Sequence, residues 1–591
     1  LDDVKAYRYY ARLSELGDQQ PIATTLSQVA DALFTSPRHA RTLLKQLAEK
    51  GWLSWSPKVG RNQRSSLALH YPLPQLQLQL AKSLISRNAY DTALTLLDGD
   101  QQLFGQALQQ SSGVSLDQGQ LRVQLTYRRR LQPLLPQLPQ RNTERFFLRQ
   151  IYSCLVQSDE QGKVTPQLAH HWRYDKDRLC WTFYLRPKLR FHDGSVCDAN
   201  EVAKLFNAMR QLPAYAASLS HITAVNAADA LSVEFQLASS DASFALLLSD
   251  LRFSVQPSHQ LTLSQTSAPI GCGPFRVSEC STSKLQLEPF EHYHGYRAFV
   301  DRVTIWLFDR DPSAANSLAP VPPQHTMSSS PRVSALVEQA CGADTAKTSD
   351  DSDYSRTEDG CLHLLVNQVK WPEEQQARLA AVLAQLTQAD IEQQCQAQGT
   401  LLRAIPAHNL LPNWLAVPRH QPLANAALPS KLSIAVYDET TLLSCAAAIK
   451  ALLAPLGVAC QVNRYSYAEL CQRSQQPLGD DLILMSINLD DNRQSSAYLW
   501  LLNNTPLQRC LPPAQQQWLR NKLAATRAIA PGPDFLKALE SIATTLIYQG
   551  ALLPLFHEKQ TLRCDKALQG VRITHWGWPA IQEVWSAGES H

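Results

Sequence analysis

Apolar residues recur at helical spacing over the first fifty positions, and then the period changes. Val4, Tyr7, Tyr10 or Ala11, and Leu13 to Leu16 mark one face of a first helix that Gly17 stops. Thr25 is a suitable N-cap for a short second helix, Leu26 to Leu33. Ser36-Pro37 then supplies a cap with proline at the first helical position, and Ala40, Leu43, Leu44 and Leu47 line a third helix that ends at Gly51. Beyond it the pattern becomes strand-like, from Trp52 to Trp55 and from Ser65 to Leu69, around a turn at Ser56 to Asn62. Two short helices joined by a tight turn and followed by a hairpin predict a winged helix-turn-helix over residues 1–72.

Opposite its apolar stripe the third helix presents Arg38, His39, Arg41, Thr42 and Lys45, and the hairpin tip carries Lys58, Arg61, Asn62 and Arg64. Charge sharpens the picture. Residues 1–72 hold ten Lys/Arg against six acids, a net of +4, in a chain of 591 residues whose formal charge is +3. A basic segment on a neutral body points to a polyanion partner for that segment. The expectation is double-stranded DNA, with Arg38, His39, Arg41 and Thr42 reading base edges and Lys45, Lys58, Arg61, Asn62 and Arg64 anchored to phosphates. The rival reading is a small protein-interaction module with a solvated basic face; the basic wing favours DNA.

Pro72 and Pro74 break the chain, and the Gln/Leu-rich run Leu73 to Leu96 reads as a helical connector, within residues 73–118, that either packs the two parts together or forms a homo-oligomer contact. From Gln120 strands and helices alternate, as in α/β proteins. Leu121 to Leu125 is a strand, Glu144 to Val156 an amphipathic helix, Trp181 to Leu185 a strand, and Asp198 caps a helix over Ala199 to Met209. Further on, Lys431 to Tyr437 and Val458 to Val462 are strands around a helix from Ala446 to Leu456.

These residues also carry a resemblance. Gln167 to Trp172, Trp181 to Pro187, Phe191 to Ser195, Asp198 to Val202, Gly271 to Val277, Glu288 to Tyr296 and Val300 to Val303 resemble, in order, the core of the family 5 extracellular solute-binding proteins. The resemblance implies a two-lobed α/β domain of the periplasmic-binding-protein class, built like the oligopeptide receptors: lobe one over 119–306, lobe two over 307–553 and a C-terminal return to lobe one over 554–591. The whole is a multidomain chain. A winged module before such a receptor is similar to the SgrR-type regulators, a likeness that extends to Ser36 to Leu44, Val59 to Arg61 and the closing His575-Trp576-Gly577-Trp578. It implies a regulator of the sugar-phosphate stress response that activates a small regulatory RNA gene and represses its own.

Solute receptors of two lobes bind between them, so the expected second partner is a small molecule, a sugar phosphate or related solute or else a peptide. Tyr127 and Arg128 follow the first strand and would put a guanidinium near an anion; an ordinary surface loop is the alternative. Trp414 and Asp490 are ligand candidates by family position, although the family's tryptophan before Asp490 is absent.

Other classes fall away. No stretch approaches the ~20 apolar residues of a membrane span, and Asp2, Asp3, Lys5, Arg8 and Arg12 are unlike a signal peptide, so a cytoplasmic protein without a membrane partner is expected. Thirteen cysteines, none in a C-x-x-C pair, read as reduced thiols. His170-His171, His192 and His292-x-His294 lack partners at metal-ligand spacing, and neither a metal nor another cofactor is expected. No nucleophile elbow or phosphate loop is present, so an enzyme is not expected. Two rivals to the regulator remain: a solute receptor for an ABC transporter, and a DNA-binding protein whose ligand-free receptor domain serves assembly.

Overall fold

The computed structural model describes residues 2–17, 21–58, 64–86, 89–98, 100, 103–104, 107, 114–117, 120–127, 130–265, 268–307, 335–336, 351–371, 373–418, 428–473, 479–490, 492–565 and 568–586. The chain forms two compact units: one comprises Leu1–Val114, Thr126–Arg129 and Phe308–Leu336, and the other Ser115–Leu125, Arg130–Leu307 and Val337–His591.

In the first unit α1 (Asp3–Ser14), β1 (Ile22–Thr24), α2 (Leu26–Ala32), α3 (Pro37–Glu49), β2 (Leu53–Ser56) and β3 (Ser65–Leu69) follow in order. The three strands make an antiparallel sheet with β3 central. Thr25 and Gln28 form a reciprocal capping box at the start of α2, satisfying donors that helix geometry leaves open. Ser36 Oγ accepts from the His39 N–H and Pro37 occupies the first turn of α3. Ala6, Tyr10, Leu13, Val29, Leu43, Leu44 and Leu47 are buried, the apolar stripes turned inward. Tyr10 ties α1 to the end of the wing: its hydroxyl donates to the Tyr71 carbonyl (2.8 Å) and accepts from the Tyr71 N–H (3.0 Å). The connector is two helices, α4 (Leu73–Ser86) and α5 (Tyr90–Leu96), rather than one continuous run.

Among the described residues the second unit has three large sheets. A four-stranded antiparallel sheet runs in the order Ile222–Ala227, Ser232–Leu237, Cys180–Leu185, Ala169–Asp175. The helix Ala199–Met209 covers it, capped by Asp198 as the sequence predicts. Another sheet places Phe275–Cys280, Lys284–Pro289, Arg302–Leu307 and Gln120–Tyr127 side by side. These form the first lobe. In the second, Lys431–Tyr437 is parallel to both Ala459–Tyr465 and Leu482–Asn488, and Leu482–Asn488 is antiparallel to Gly360–Val366. Every residue of Gly360–Val366 is buried, which explains a run of apolar residues without alternation. The long strand Leu552–Asp565 pairs with Gly360–Val366, Ala404–Pro406 and Asp351–Thr357.

Two boundaries differ from the sequence pattern. The helix expected over Glu144 to Val156 runs Asn142–Ile151, and Tyr152 is already extended (φ −116°, ψ 161°). No proline or glycine stops it; the Ile151 carbonyl is taken by the Gly273 N–H (2.8 Å) and Ser153 bridges to Val255, so a distant loop overrides local propensity. The helix expected from Ala446 begins at Thr440, because Glu439 caps it by accepting from the Leu442 N–H.

Candidate nucleic-acid interface and solute site

Arg38, His39, Arg41, Thr42 and Lys45 are all exposed along α3, while Ala40, Leu43, Leu44 and Leu47 on the other face are buried. The Thr42 hydroxyl donates to the Arg38 carbonyl (3.4 Å). Lys45 pairs loosely with Glu49 (3.8 Å), both largely exposed, a contact too weak to withhold the ammonium from another anion. On the wing Lys58 and Arg64 are exposed, and the Lys58 N–H donates to Ser65 Oγ (3.2 Å) at the base of the hairpin. Arg61 and Asn62 lie outside the described residues. The turn between α2 and α3 holds Phe34 in the left-handed region (φ 52°) with its ring 82% exposed; Arg12 lies over that ring and donates to the Leu33 carbonyl.

The ligand candidates are scattered. Tyr127 ends its strand and is buried; Arg128 lies outside the described residues. Trp414 is buried with its indole Nε1 unpaired among the described residues, in a segment fastened to the helix Pro533–Tyr548 by Asn409 to Thr544 and by the Leu415 N–H to Glu540. Asp490 follows the strand Leu482–Asn488, at the carboxyl end of the parallel strands where open α/β sheets place ligands.

Asp490 is fully buried and already partnered. Its Oδ2 lies 3.3 Å from Arg145 and 3.1 Å from Arg149, two residues one turn apart on the first lobe's helix Asn142–Ile151. Its Oδ1 accepts from the Asn492 N–H (2.9 Å) and the Ser496 hydroxyl (3.1 Å). Burial would push this carboxyl up, but Arg149, Arg145 and the Asn492 N–H hold it below the usual carboxylate range. Arg149 also donates to the Ser249 carbonyl, and Arg145 sits 3.6 Å from Asp250.

A second charged cluster also joins the lobes. Asp359 is contacted by Arg356 (2.9 Å), Arg493 (2.9 Å) and His575 (2.7 Å), and His575 also reaches Glu160 (3.1 Å). The residues around His575 clamp the arginine-bearing helix: Trp578 stacks on Phe146 (5.4 Å) and meets Phe147 edge-on (5.0 Å). Sequence reading passed over Arg145 and Arg149, although their spacing by four in an amphipathic helix puts both on one face. Asp359 gave no signal, since Arg493 and His575, two of its three partners, lie far away along the chain.

Residues 5–119 match the family described as the sugar transport-related sRNA regulator N-terminal domain, and residues 163–319 match the middle of the bacterial extracellular solute-binding proteins, family 5. The chain has the domain architecture of an SgrR-type regulator. It is 29% identical to the HTH-type transcriptional regulator SgrR of Pectobacterium atrosepticum and 28% identical to that of Salmonella typhi, covering 99% and 98% of both chains. Solved structures share the fold of the two-lobed part. The agropinic-acid complex of AgaA from A. tumefaciens has a TM-score of 0.60 at 16% identity, over 80% of this chain and 99% of that one. The nonapeptide complex of AppA from Bacillus subtilis has a TM-score of 0.60 at 14% identity, over 79% and 99%. Among the described residues no helix is long and apolar enough to cross a membrane, and no group of three His, Cys, Asp or Glu is placed to hold a metal. Eleven cysteines among the described residues are free thiols.

Proposed function

We propose that the chain is a cytoplasmic transcription regulator that binds duplex DNA through α3 and the wing and responds to a small solute received by the two-lobed unit. One observation carries the DNA half: five polar or cationic side chains, Arg38, His39, Arg41, Thr42 and Lys45, stand exposed on a helix whose other face is buried, directly after a tight turn. Such a helix fits the major groove of B-DNA, and Lys58 and Arg64, with Arg61 and Asn62 between them in sequence, would meet the flanking backbone. The receptor fold and the regulators that share both parts support the solute half. The finer reading is sugar-phosphate stress, with activation of a small regulatory RNA gene and repression of the chain's own gene.

The test is a band-shift titration of the full chain on its own promoter region and on random DNA at fixed salt, with and without a panel of sugar phosphates. Preference for the promoter, altered by one sugar phosphate, is the expected result; equal binding to both DNAs sinks the reading. The internal pairing of Asp490 favours one rival, a receptor unit that binds no solute and serves assembly. Promoter binding indifferent to every solute would select it.

A further inference from the structure

We propose that Phe34 and Arg12 form a further contact of the winged unit with duplex DNA, the ring lying against a deoxyribose of the backbone and the guanidinium on the neighbouring phosphate. The proposal rests on the reading that α3 enters the major groove, and it adds a backbone contact beside that groove.

Helix α2 closes with two reversed hydrogen bonds, from the Thr35 N–H to the Ala30 carbonyl (2.9 Å) and from the Phe34 N–H to the Asp31 carbonyl (3.0 Å). This closure gives Phe34 the left-handed conformation, φ 52°, where glycine is the favoured occupant because a Cβ crowds the neighbouring carbonyl. Burial does not offset that strain. The ring is 82% exposed, and among the described residues up to Val114 no other large apolar side chain is exposed. The fold therefore gains nothing from an aromatic ring at this turn.

Arg12 covers one side of the ring, its guanidinium carbon 5.2 Å from the centroid. Its bond to the Leu33 carbonyl is long (3.4 Å), and it forms no ion pair among the described residues, so its fork of donors can take an anion. Glu15 and Asp31, the exposed acids nearest in sequence, make no ion pair with it among the described residues. A DNA backbone alternates an anion with the apolar face of a sugar. Here a cation stands beside an apolar ring. Phe34 also lies two residues before Ser36, the cap of α3, whose first turn exposes Arg38 and His39. That continuity and the cations on either side favour DNA over a protein segment. The contact would fix the register of α3 on the duplex and carry no sequence information of its own.

The experiment runs band shifts of the full chain, Phe34→Gly, Arg12→Gln and Arg41→Ala on the promoter region and on random DNA across a series of salt concentrations. Phe34→Gly should weaken both DNAs alike, by roughly fivefold, the scale for uncovering part of one ring, with the salt slope unchanged because the ring has no charge. Arg12→Gln should weaken both and reduce the slope of log affinity against log salt by about one. Glycine suits the turn, so Phe34→Gly should melt no lower than the unaltered chain, which separates lost contact from lost fold. Unchanged affinity in Phe34→Gly overturns the proposal, as does a lower melting temperature or an unchanged salt slope in Arg12→Gln. A Phe34→Gly chain that binds DNA normally but no longer activates transcription in a purified system assigns the ring to a protein partner, and equally overturns it. Arg41→Ala reports separately on α3: promoter binding that survives it removes the reading of α3, whatever the result at Phe34.

Discussion

His575 places its Nδ1 2.7 Å from the carboxylate of Asp359, joining the closing segment of the chain to the edge of the second lobe's sheet. Burial pushes the Asp359 carboxyl up, yet His575, Arg493 and Arg356 draw it below its ordinary value overall. A depressed carboxylate adds stability that is complete above its unfolded pKa of about 4 and is lost as pH falls through the folded value. Asp359→Asn should therefore cost about 3 kcal/mol at pH 7, the scale for stranding buried charges, and progressively less toward pH 2. Urea denaturation of both proteins across that range checks this; a pH-independent difference would refute it.

Two buried histidines act in the same direction, in a higher pH window. His192 Nε2 lies 3.1 Å from the Gly273 carbonyl while its Nδ1 accepts from the Gly271 N–H, an arrangement of the neutral ring. Burial pulls His192 and His363 down to about 4. The unfolded chain takes up these protons near pH 6.5 and the native state does not, so stability falls as pH drops from about 6.5 to about 4 and levels off below. Each ring contributes at most about 3 kcal/mol to that loss. His363→Phe, of similar shape and unable to titrate, should flatten the slope of melting temperature against pH in this window by up to half of the paired effect.

Arg41 and Arg64 are expected to fail differently. Arg41→Ala should cost roughly 1–3 kcal/mol on the promoter and less on random DNA, relaxing specificity. Arg64→Ala should weaken both DNAs alike and reduce the slope of log affinity against log salt by about one. Identical losses on both DNAs from the two substitutions would remove the division between base reading and phosphate anchoring.

Arg527 is a buried hub. Its Nε donates to the Tyr498 hydroxyl (2.6 Å), its Nη2 to the Ser218 carbonyl (3.0 Å), and its own carbonyl accepts from the N–H of Ala242 (3.0 Å). Arg527→Gln removes the charged donor from the Tyr498 hydroxyl and the Ser218 carbonyl and one cation from Asp241, leaving the backbone bond to Ala242 in place, and should lower stability by about 3 kcal/mol without altering the intrinsic affinity of the winged unit for DNA. Chemical denaturation and a band shift on the same protein separate the two effects.

Local signals in the sequence were legible where the chain solves its problems locally. The caps Thr25, Ser36 and Asp198, the stripe Ala40, Leu43, Leu44 and Leu47, and the hairpin after Gly51 stand where their patterns put them. What the pattern could not carry is pairing at a distance. Asp490 was visible as an acid ending a strand, but its partners Arg145 and Arg149 lie in a helix whose amphipathic spacing records only which face is apolar. The early end of that helix was equally hidden, because the Gly273 N–H that claims the Ile151 carbonyl comes from more than a hundred residues away.

That close approach has a consequence for how the chain tolerates mutation. A Cβ at Gly271 or Gly273 would overlap the backbone of Ile151, the last residue of the helix that bears both arginines. Glycine is the smallest residue the genetic code offers, so every missense change at either codon adds bulk and drives the helix end outward. A polypeptide that has diverged to 29% identity from a relative of the same length can exchange most of its core by compensating size elsewhere. At these two codons there is nothing smaller to exchange for, and drift can proceed only if the arginines move with it.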